Sequence, residues 1–355
     1  MQAPHRNLNP RDFEGRIDQR PVFLTQLRNA NGAQVSVCNY GARVVQMLMP
    51  NAQGKLGDVA LGFDGLPALQ RPAPHGVPSM GAFIGRYANR VANAAFTQDG
   101  QRHALNPNSG AHCIHGGAAG SRYAVFAAQQ TALHAMVLQH RFLQADDGFP
   151  GTLDLSLSYT LLAQGQHNAL RIQWQATAHS APTVASFTSH VFFNLAGAPC
   201  SVENHLLQLP ADHYLPLDST LLPTGERAPV EGTPFDFRKP RTLGQALAQP
   251  HPQLALCGGL DHHYALGNWD GNLRPVAHLS DPTSGRKLQV LSTEPGLQVF
   301  TANGLNKAHC GFALRSGVCL EPSYYPDSPN QPHFPSTRIE AGQVRAGEIM
   351  YAFSA

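Results

Sequence analysis

Charge is scarce in this chain. Aspartate, glutamate, lysine and arginine make up 14% of its 355 residues, and 25 basic against 23 acidic side chains leave a net charge of +2. A nucleic-acid binder needs a concentrated basic footprint. The densest basic stretch here, Arg238, Lys239 and Arg241, reads as a solvated turn. Paired cysteines are lacking as well. Cys38, Cys113, Cys200, Cys257, Cys310 and Cys319 are dispersed with no C-x-x-C spacing, which argues against both a zinc ribbon and a disulfide framework. No apolar run approaches the roughly 20 residues of a membrane-spanning helix. The polar start from Met1 to Asn9 has no apolar stretch behind a basic segment, so no secretory leader is read there. The expectation is a cytoplasmic protein that engages neither nucleic acid nor membrane. A surface this poor in charge suits a ligand rich in neutral hydroxyls.

Helical periodicity is also rare. The segment Thr242 to Gln249, bounded by Pro240 and Pro250, is the one short helix expected, with Thr242 near its start. What is abundant is turn punctuation, with 33 glycines and 28 prolines spread along the whole length. Between them lie runs of period two. From Leu153 to Leu161 apolar and polar residues alternate, and Leu170, Ile172 and Trp174 alternate with Arg171, Gln173 and Gln175. Val35 to Val37, Leu288 to Val290 and Leu297 to Val299 repeat the pattern. Such alternation turns one strand face to a core and the other to solvent or ligand. Strands separated by turns, without helices between them, predict an all-β antiparallel sandwich or barrel. No linker, internal repeat or shift of composition divides residues 1–355, so one domain is expected.

Five segments mix glycine, histidine, carboxylate and aromatic side chains more densely than strands usually do. Gly85-Arg86-Tyr87-Ala88-Asn89-Arg90 reads on its own as a turn with solvated arginines. In His112-Cys113-Ile114-His115-Gly116-Gly117 the glycine pair permits close backbone approach, and His115 can donate to a ligand oxygen. The H-x-x-H spacing invites a metal, but positions i and i+3 of a strand face opposite sides. His190 sits in an aromatic run from Phe187 to Leu195, where the plainer reading is a satisfied core histidine. Gly259-Leu260-Asp261-His262-His263-Tyr264 places an acid and two histidines after a glycine pair. In Cys319 to Pro332, Glu321 closes an apolar stretch, and Pro322 predicts a strand end or edge because it cannot donate to a ladder. Gln298, in Glu294 to Thr301, is the quietest candidate, a polar residue on one strand face.

Taken in order, these segments resemble the aldose 1-epimerase family over nearly the whole chain. The family's G-R-x-A-N-R pattern is similar to Gly85 to Arg90, its H-G-G element to His115 to Gly117, and its H-x-x-F-N-L strand to His190 to Leu195. Its G-x-D-H element fits Gly259 to His262, and its closing L-E-P-x-x-x-P-D-x-P-N-Q-P motif fits Leu320 to Pro332. Supporting matches are Gly57 to Phe63, Gly148 to Gly151 and Leu222 to Glu226. The resemblance implies a large antiparallel β-sandwich of the galactose mutarotase type with the sugar in an open groove. It implies His190 as catalytic acid and Glu321 as catalytic base. It assigns sugar binding to Asn89, Arg90, His115, Asp261 and Gln298, with no cofactor and no metal. Ser186, Ser189 and Val191 depart from the family pattern around the acid, where asparagines often stand at the first two positions.

The pair suits the reaction. Interconverting α and β anomers opens a cyclic hemiacetal and closes it on the other face. The C1 hydroxyl loses a proton while the ring oxygen gains one, and one acid with one base can do both. A nearby carboxylate such as Asp261 is expected to hold His190 charged, and partial desolvation to strengthen Glu321 as a base. Four rivals stand beside this reading. A glycosidase would use Asp261 and Glu321 as paired carboxylates. A non-catalytic sugar-binding module would use the same fold without rate enhancement. A hexose-phosphate 1-epimerase would need additional cationic ligands. A metal centre would draw on His112, His115, His262 and His263. The expected partner is a small monosaccharide, bound by a monomer or weak dimer.

Overall fold

The computed structural model describes residues 6–73, 75–198 and 200–355; the reading of Met1 to Asn9 lies outside them at residues 1–5. Three antiparallel sheets carry the architecture. The largest has nine strands, in the spatial order Ala127–Ala132, Ala135–Phe142, Thr152–Gln164, His167–His179, Val344–Ser354, Lys287–Ser292, Arg274–Ser280, Leu206–Gln208 and Arg241–Thr242. Its centre is the hairpin the alternation predicts. Thr152–Gln164 and His167–His179 pair from Thr152↔His179 to Gln164↔His167 around a two-residue turn in which Gly165 takes a φ of 59°. Such tight hairpin turns require the left-handed region, which glycine enters without a Cβ penalty.

A four-stranded sheet, Leu24–Arg28, Gln34–Cys38, Arg43–Pro50 and Leu56–Asp58, comes from the N-terminal part. A six-stranded sheet follows the order Phe192–Phe193, Val318–Ser323, Gly296–Phe300, Asp261–Ala265, His213–Leu215 and Ala228–Pro229. One apolar cluster unites all three, with Val35 and Val37, Leu155 and Leu157, and Leu297, Val299, Val318 and Leu320 in contact. Burying such side chains is worth about 1.5–3 kcal/mol each and is the main force joining the layers.

The period of two then decides what the six-stranded sheet shows on its other face. With Leu297, Val299, Val318 and Leu320 turned into the core, Gln298, Phe300, Cys319 and Glu321 must point the opposite way. Cross-strand register adds Asp261 opposite Phe300, and His263 opposite Gln298. Pro322 does not end its strand, which runs on to Ser323. The edge expectation holds only locally. Phe192–Phe193 pairs with Val318 and Cys319 alone, so at Pro322 the ladder to Leu297 is one-sided and the missing N–H has no strand opposite.

Five α-helices of four to six residues occur among the described residues. The expected one spans Leu243–Leu247, shorter than its Thr242 to Gln249 window. Thr242 caps it, its hydroxyl accepting from the Gln245 amide while the Gln245 side chain accepts from the Thr242 amide. A second helix, Pro252–Cys257, follows directly; Pro252 opens it, the His251 ring accepts from the Gln253 amide, and Gly258 ends it with a φ of 67°. No helix among the described residues is long and apolar enough to cross a membrane.

Candidate active site

On the outward face of the six-stranded sheet, strand Gly296–Phe300 lies between the other two strands that carry functional candidates. Gln298 pairs with Glu321 on one side and His263 on the other. The Gln298 side-chain amide donates to Asp261 Oδ1 at 2.7 Å. That bond fixes the amide, leaving Gln298 Oε1 buried with no protein partner among the described residues. An orphaned buried acceptor costs about 1–3 kcal/mol unless something pairs with it.

His190 arrives from a different direction. It follows Thr188–Ser189, and its backbone is clamped to the Gly81–Ala82 segment: its amide donates to the Ala82 carbonyl at 2.9 Å and its carbonyl accepts from the Gly81 amide at 2.8 Å. Two residues on, Phe192 lies on the same face and stacks on the imidazole, with centroids 5.2 Å apart and planes 13° from parallel. Phe300 meets the ring edge-on at 6.4 Å. Held there, His190 Nε2 stands 3.7 Å from Glu321 Oε1, and both side chains are less than a tenth exposed.

The loops supply the third wall. Asn89 and His115 lock each other. The His115 amide donates to the Asn89 carbonyl at 3.0 Å, and the Asn89 amide donates to His115 Nδ1 at 3.2 Å. Because Nδ1 accepts, the neutral ring carries its proton on Nε2 and offers a donor. His115 then meets His190 edge to face, with centroids 5.3 Å apart. Close backbone approach makes this possible. Gly116 has a φ of 76°, and a Cβ there would lie 2.4 Å from the Gly85 carbonyl oxygen. The two motifs are therefore packed backbone on backbone. Arg86, expected to be solvated, is fully buried instead. Its two terminal nitrogens donate to the Pro150 and Gly151 carbonyls and to the Thr183 hydroxyl, while Nε has no partner among the described residues.

The electrostatics follow from burial. Desolvation pushes His190 down to about 3, helped by the Arg122 and Arg43 cations. Desolvation also pushes Glu321 well above the usual carboxylate range, with Asp261 adding to the rise. The expectation that a carboxylate holds His190 charged therefore fails, because the loss of hydration on burial dominates. The desolvation expected at Glu321 is found. Asp261 is raised by burial and held back by Arg90, and His115 is kept neutral by burial beside Arg122.

All seven residues singled out in the sequence thus converge on one face of one sheet. The four histidines of the metal alternative do not gather: His115 and His263 face the site, and the other two turn elsewhere. His112 Nδ1 accepts from the Asn93 amide, and His262 turns into the core beside Tyr214 and Phe235 and meets Gln253 Oε1 at 3.2 Å. Sequence reasoning passed over Arg122, Arg43 and Cys319. Arg43 and Arg122 clamp the 78–80 segment, donating to Pro78, Met80 and Ser79, and nothing in their sequence surroundings signals it. Cys319 was legible: two residues before Glu321 on a strand, it shares that residue's face, and its sulfur lies 3.5 Å from His190 Nδ1. At the departures from the family pattern, the Ser186 and Ser189 hydroxyls are buried without a partner among the described residues, and Val191 faces the core. A cavity of about 750 Å³ lies elsewhere, against the outward face of the nine-stranded sheet around Gln139, Asp154 and Gln175. Chemistry rather than volume marks the site.

The sequence model of the family described as aldose 1-epimerase matches residues 24–352. The chain is 34% identical to a galactose mutarotase of Bos taurus over 346 residues, 96% of this chain and 95% of that one. It is 32% identical to an aldose 1-epimerase of Escherichia coli (strain K12) over 322 residues, 90% of each. A solved aldose epimerase homologue from C. elegans superposes with a TM-score of 0.83 at 26% identity, covering 93% of this chain and 98% of its own. A galactose 1-epimerase from Lactobacillus acidophilus gives 0.82 at 26% identity over 96% of both. The all-β architecture, the buried histidine–carboxylate pair and these likenesses agree: the chain belongs to the aldose 1-epimerase family, isomerases that interconvert the α and β anomers of aldoses.

Proposed function

We propose that His190 is the general acid and Glu321 the general base of this anomer interconversion, acting on a free aldose of the galactose or glucose type. The observation that carries the reading is the buried pair itself, 3.7 Å between Nε2 and Oε1. Burial drives His190 toward its neutral form and Glu321 toward its protonated form, so the two hold one transferable proton between them. Placing that proton on the imidazole instead creates an ion pair of the same total charge. From that state His190 gives its proton to the ring oxygen while Glu321 takes the C1 hydroxyl proton. The bond from C1 to the ring oxygen breaks, and an open-chain aldehyde lies against neutral His190 and protonated Glu321. Rotation about C1–C2 turns the other aldehyde face to the former ring oxygen. The same transfers in reverse close the ring, and the starting proton arrangement returns.

The remaining five residues hold the sugar. His115 presents an Nε2 donor and Gln298 a free Oε1 acceptor, while Asp261, Arg90 and Asn89 supply further polar groups around the hydroxyls. Fixing orientation in this way is itself a large catalytic contribution. We read the protein as one domain acting as a monomer or weak dimer in the cytoplasm.

Polarimetry on fresh α-galactose and α-glucose tests the assignment. His190→Ala and Glu321→Gln should each lose about 10²–10⁴ in rate, the usual worth of a positioned acid or base. A variant that anomerises at near wild-type speed would remove that residue from the mechanism.

A further inference from the structure

Cys319 has no part in the proton transfers, yet its thiol is buried against the acid. Its sulfur is 3.5 Å from His190 Nδ1, and its strand neighbour two residues on is Glu321. A nitrogen, a sulfur and a carboxylate oxygen from His190, Cys319 and Glu321 all lie within 4.8 Å of one another. We propose that these three side chains form a capture site for a thiophilic divalent cation such as zinc, and that its occupation switches off the epimerase.

The donor set is one zinc prefers. Imidazole, thiolate and carboxylate bind it at about 2.0–2.3 Å, so tetrahedral ligation places donor atoms roughly 3.3–3.8 Å apart. Two of the present separations, 3.5 and 3.7 Å, already fall in that range, though they involve different ring nitrogens. One imidazole nitrogen already lies within 4.8 Å of both the sulfur and a carboxylate oxygen, so a shift of about 1 Å closes the set. Charge also favours capture. A divalent cation with one thiolate and one carboxylate is neutral overall, which removes the cost of burying an isolated charge. Binding then displaces the thiol proton and the Glu321 proton to solvent, two protons for one cation. The fourth coordination position is left to water or to an oxygen of the sugar. Hard cations such as magnesium lack affinity for such a nitrogen–sulfur set. A bound ion would occupy the nitrogen and the oxygen that the sugar's protons need, so it should compete with substrate. Only this effect on rate rests on the acid and base roles proposed above; the binding itself does not.

The test uses the full chain in buffer free of thiols and chelators. Zinc should inhibit anomerisation of galactose competitively, magnesium should not, and a chelator should restore the rate. In Cys319→Ser and Cys319→Ala the half-inhibiting zinc concentration should rise at least tenfold. Cobalt added to the wild type should give a thiolate charge-transfer absorption that both variants lack, a readout that needs no activity. Zinc inhibition equal in wild type and both variants, or no cobalt–thiolate band, would overturn the proposal. If the band appears and depends on Cys319 while His190→Ala anomerises normally, the metal site stands and the acid assignment fails.

Discussion

Single atoms carry most of the site's chemistry, and Gln298 shows how. Its amide nitrogen is committed to Asp261 at 2.7 Å, and its Oε1 is buried with no partner among the described residues. In the proposed mode of binding a sugar hydroxyl satisfies it. Gln298→Ala should therefore raise KM for galactose about tenfold, the worth of one hydrogen bond together with the loss of support for Asp261. The value of kcat should fall far less than in Glu321→Gln. A KM within twofold of wild type would show that the carbonyl oxygen meets no substrate. The same scale explains why residue types alone were ambiguous. His190 and Glu321 are each plausible as a core histidine and a strand-end carboxylate. Only the fold reveals that they face each other at 3.7 Å.

At the scale of elements, the strands were readable and the loops were readable only through resemblance. Leu153 to Leu161 alternates because one side packs on the core, and the strand found there, Thr152–Gln164, keeps the alternation through Leu162. The capped helix at Thr242 was legible because caps are local chemistry. Arg86 and Arg122 were not, because their partners are carbonyls and hydroxyls brought from distant segments by the fold. The glycine pair in His115-Gly116-Gly117 suggested close approach, and the structure shows what approaches: the Gly85–Arg86 backbone. A methyl at Gly116 would meet a carbonyl oxygen at 2.4 Å and an amide nitrogen at 2.7 Å, neither of which can swing away. Gly116→Ala should thus cost about 2–4 kcal/mol in urea unfolding, backbone strain and steric overlap combined. It should also raise KM, since His115 and Asn89 move with that turn. Gly232 is the control. Its φ is 72° but nothing lies near its added Cβ, so Gly232→Ala should cost only about 1 kcal/mol. Equal losses at the two positions would show that the packing of the two motifs is unimportant.

The whole molecule buries several histidines, and their balance against buried carboxylates sets its response to acid. His140 and His205 are pushed down to about 4, and His262 and His263 to about 3, in each case chiefly by desolvation. The unfolded chain regains the ordinary value near 6.5, so below that pH it binds more protons than the native state. Stability must then fall as pH falls from 6.5 toward these depressed values, by about 1.4 kcal/mol per histidine for each pH unit. Buried carboxylates work the other way, Asp261, Glu321 and Asp327 among them. Glu294 is raised to about 7 and Asp147 to about 6, both by burial, so they bind protons more readily in the native state and regain stability as pH falls toward 5. Each of these four histidines loses about 2 kcal/mol by pH 5, and the depressed His115 and His190 of the site act in the same direction. The histidines win. A melting temperature about 5 °C lower at pH 5 than at pH 7 is expected. Glu294→Gln should melt higher than wild type at pH 7 and lose more on acidification, because its opposing contribution is gone. A wild-type melting temperature that holds or rises toward pH 5 would mean these histidines find protons without unfolding. His262 and His263 lie on the strand Asp261–Ala265, inside the sheet that carries the site, so acid weakens the framework of the chemistry itself.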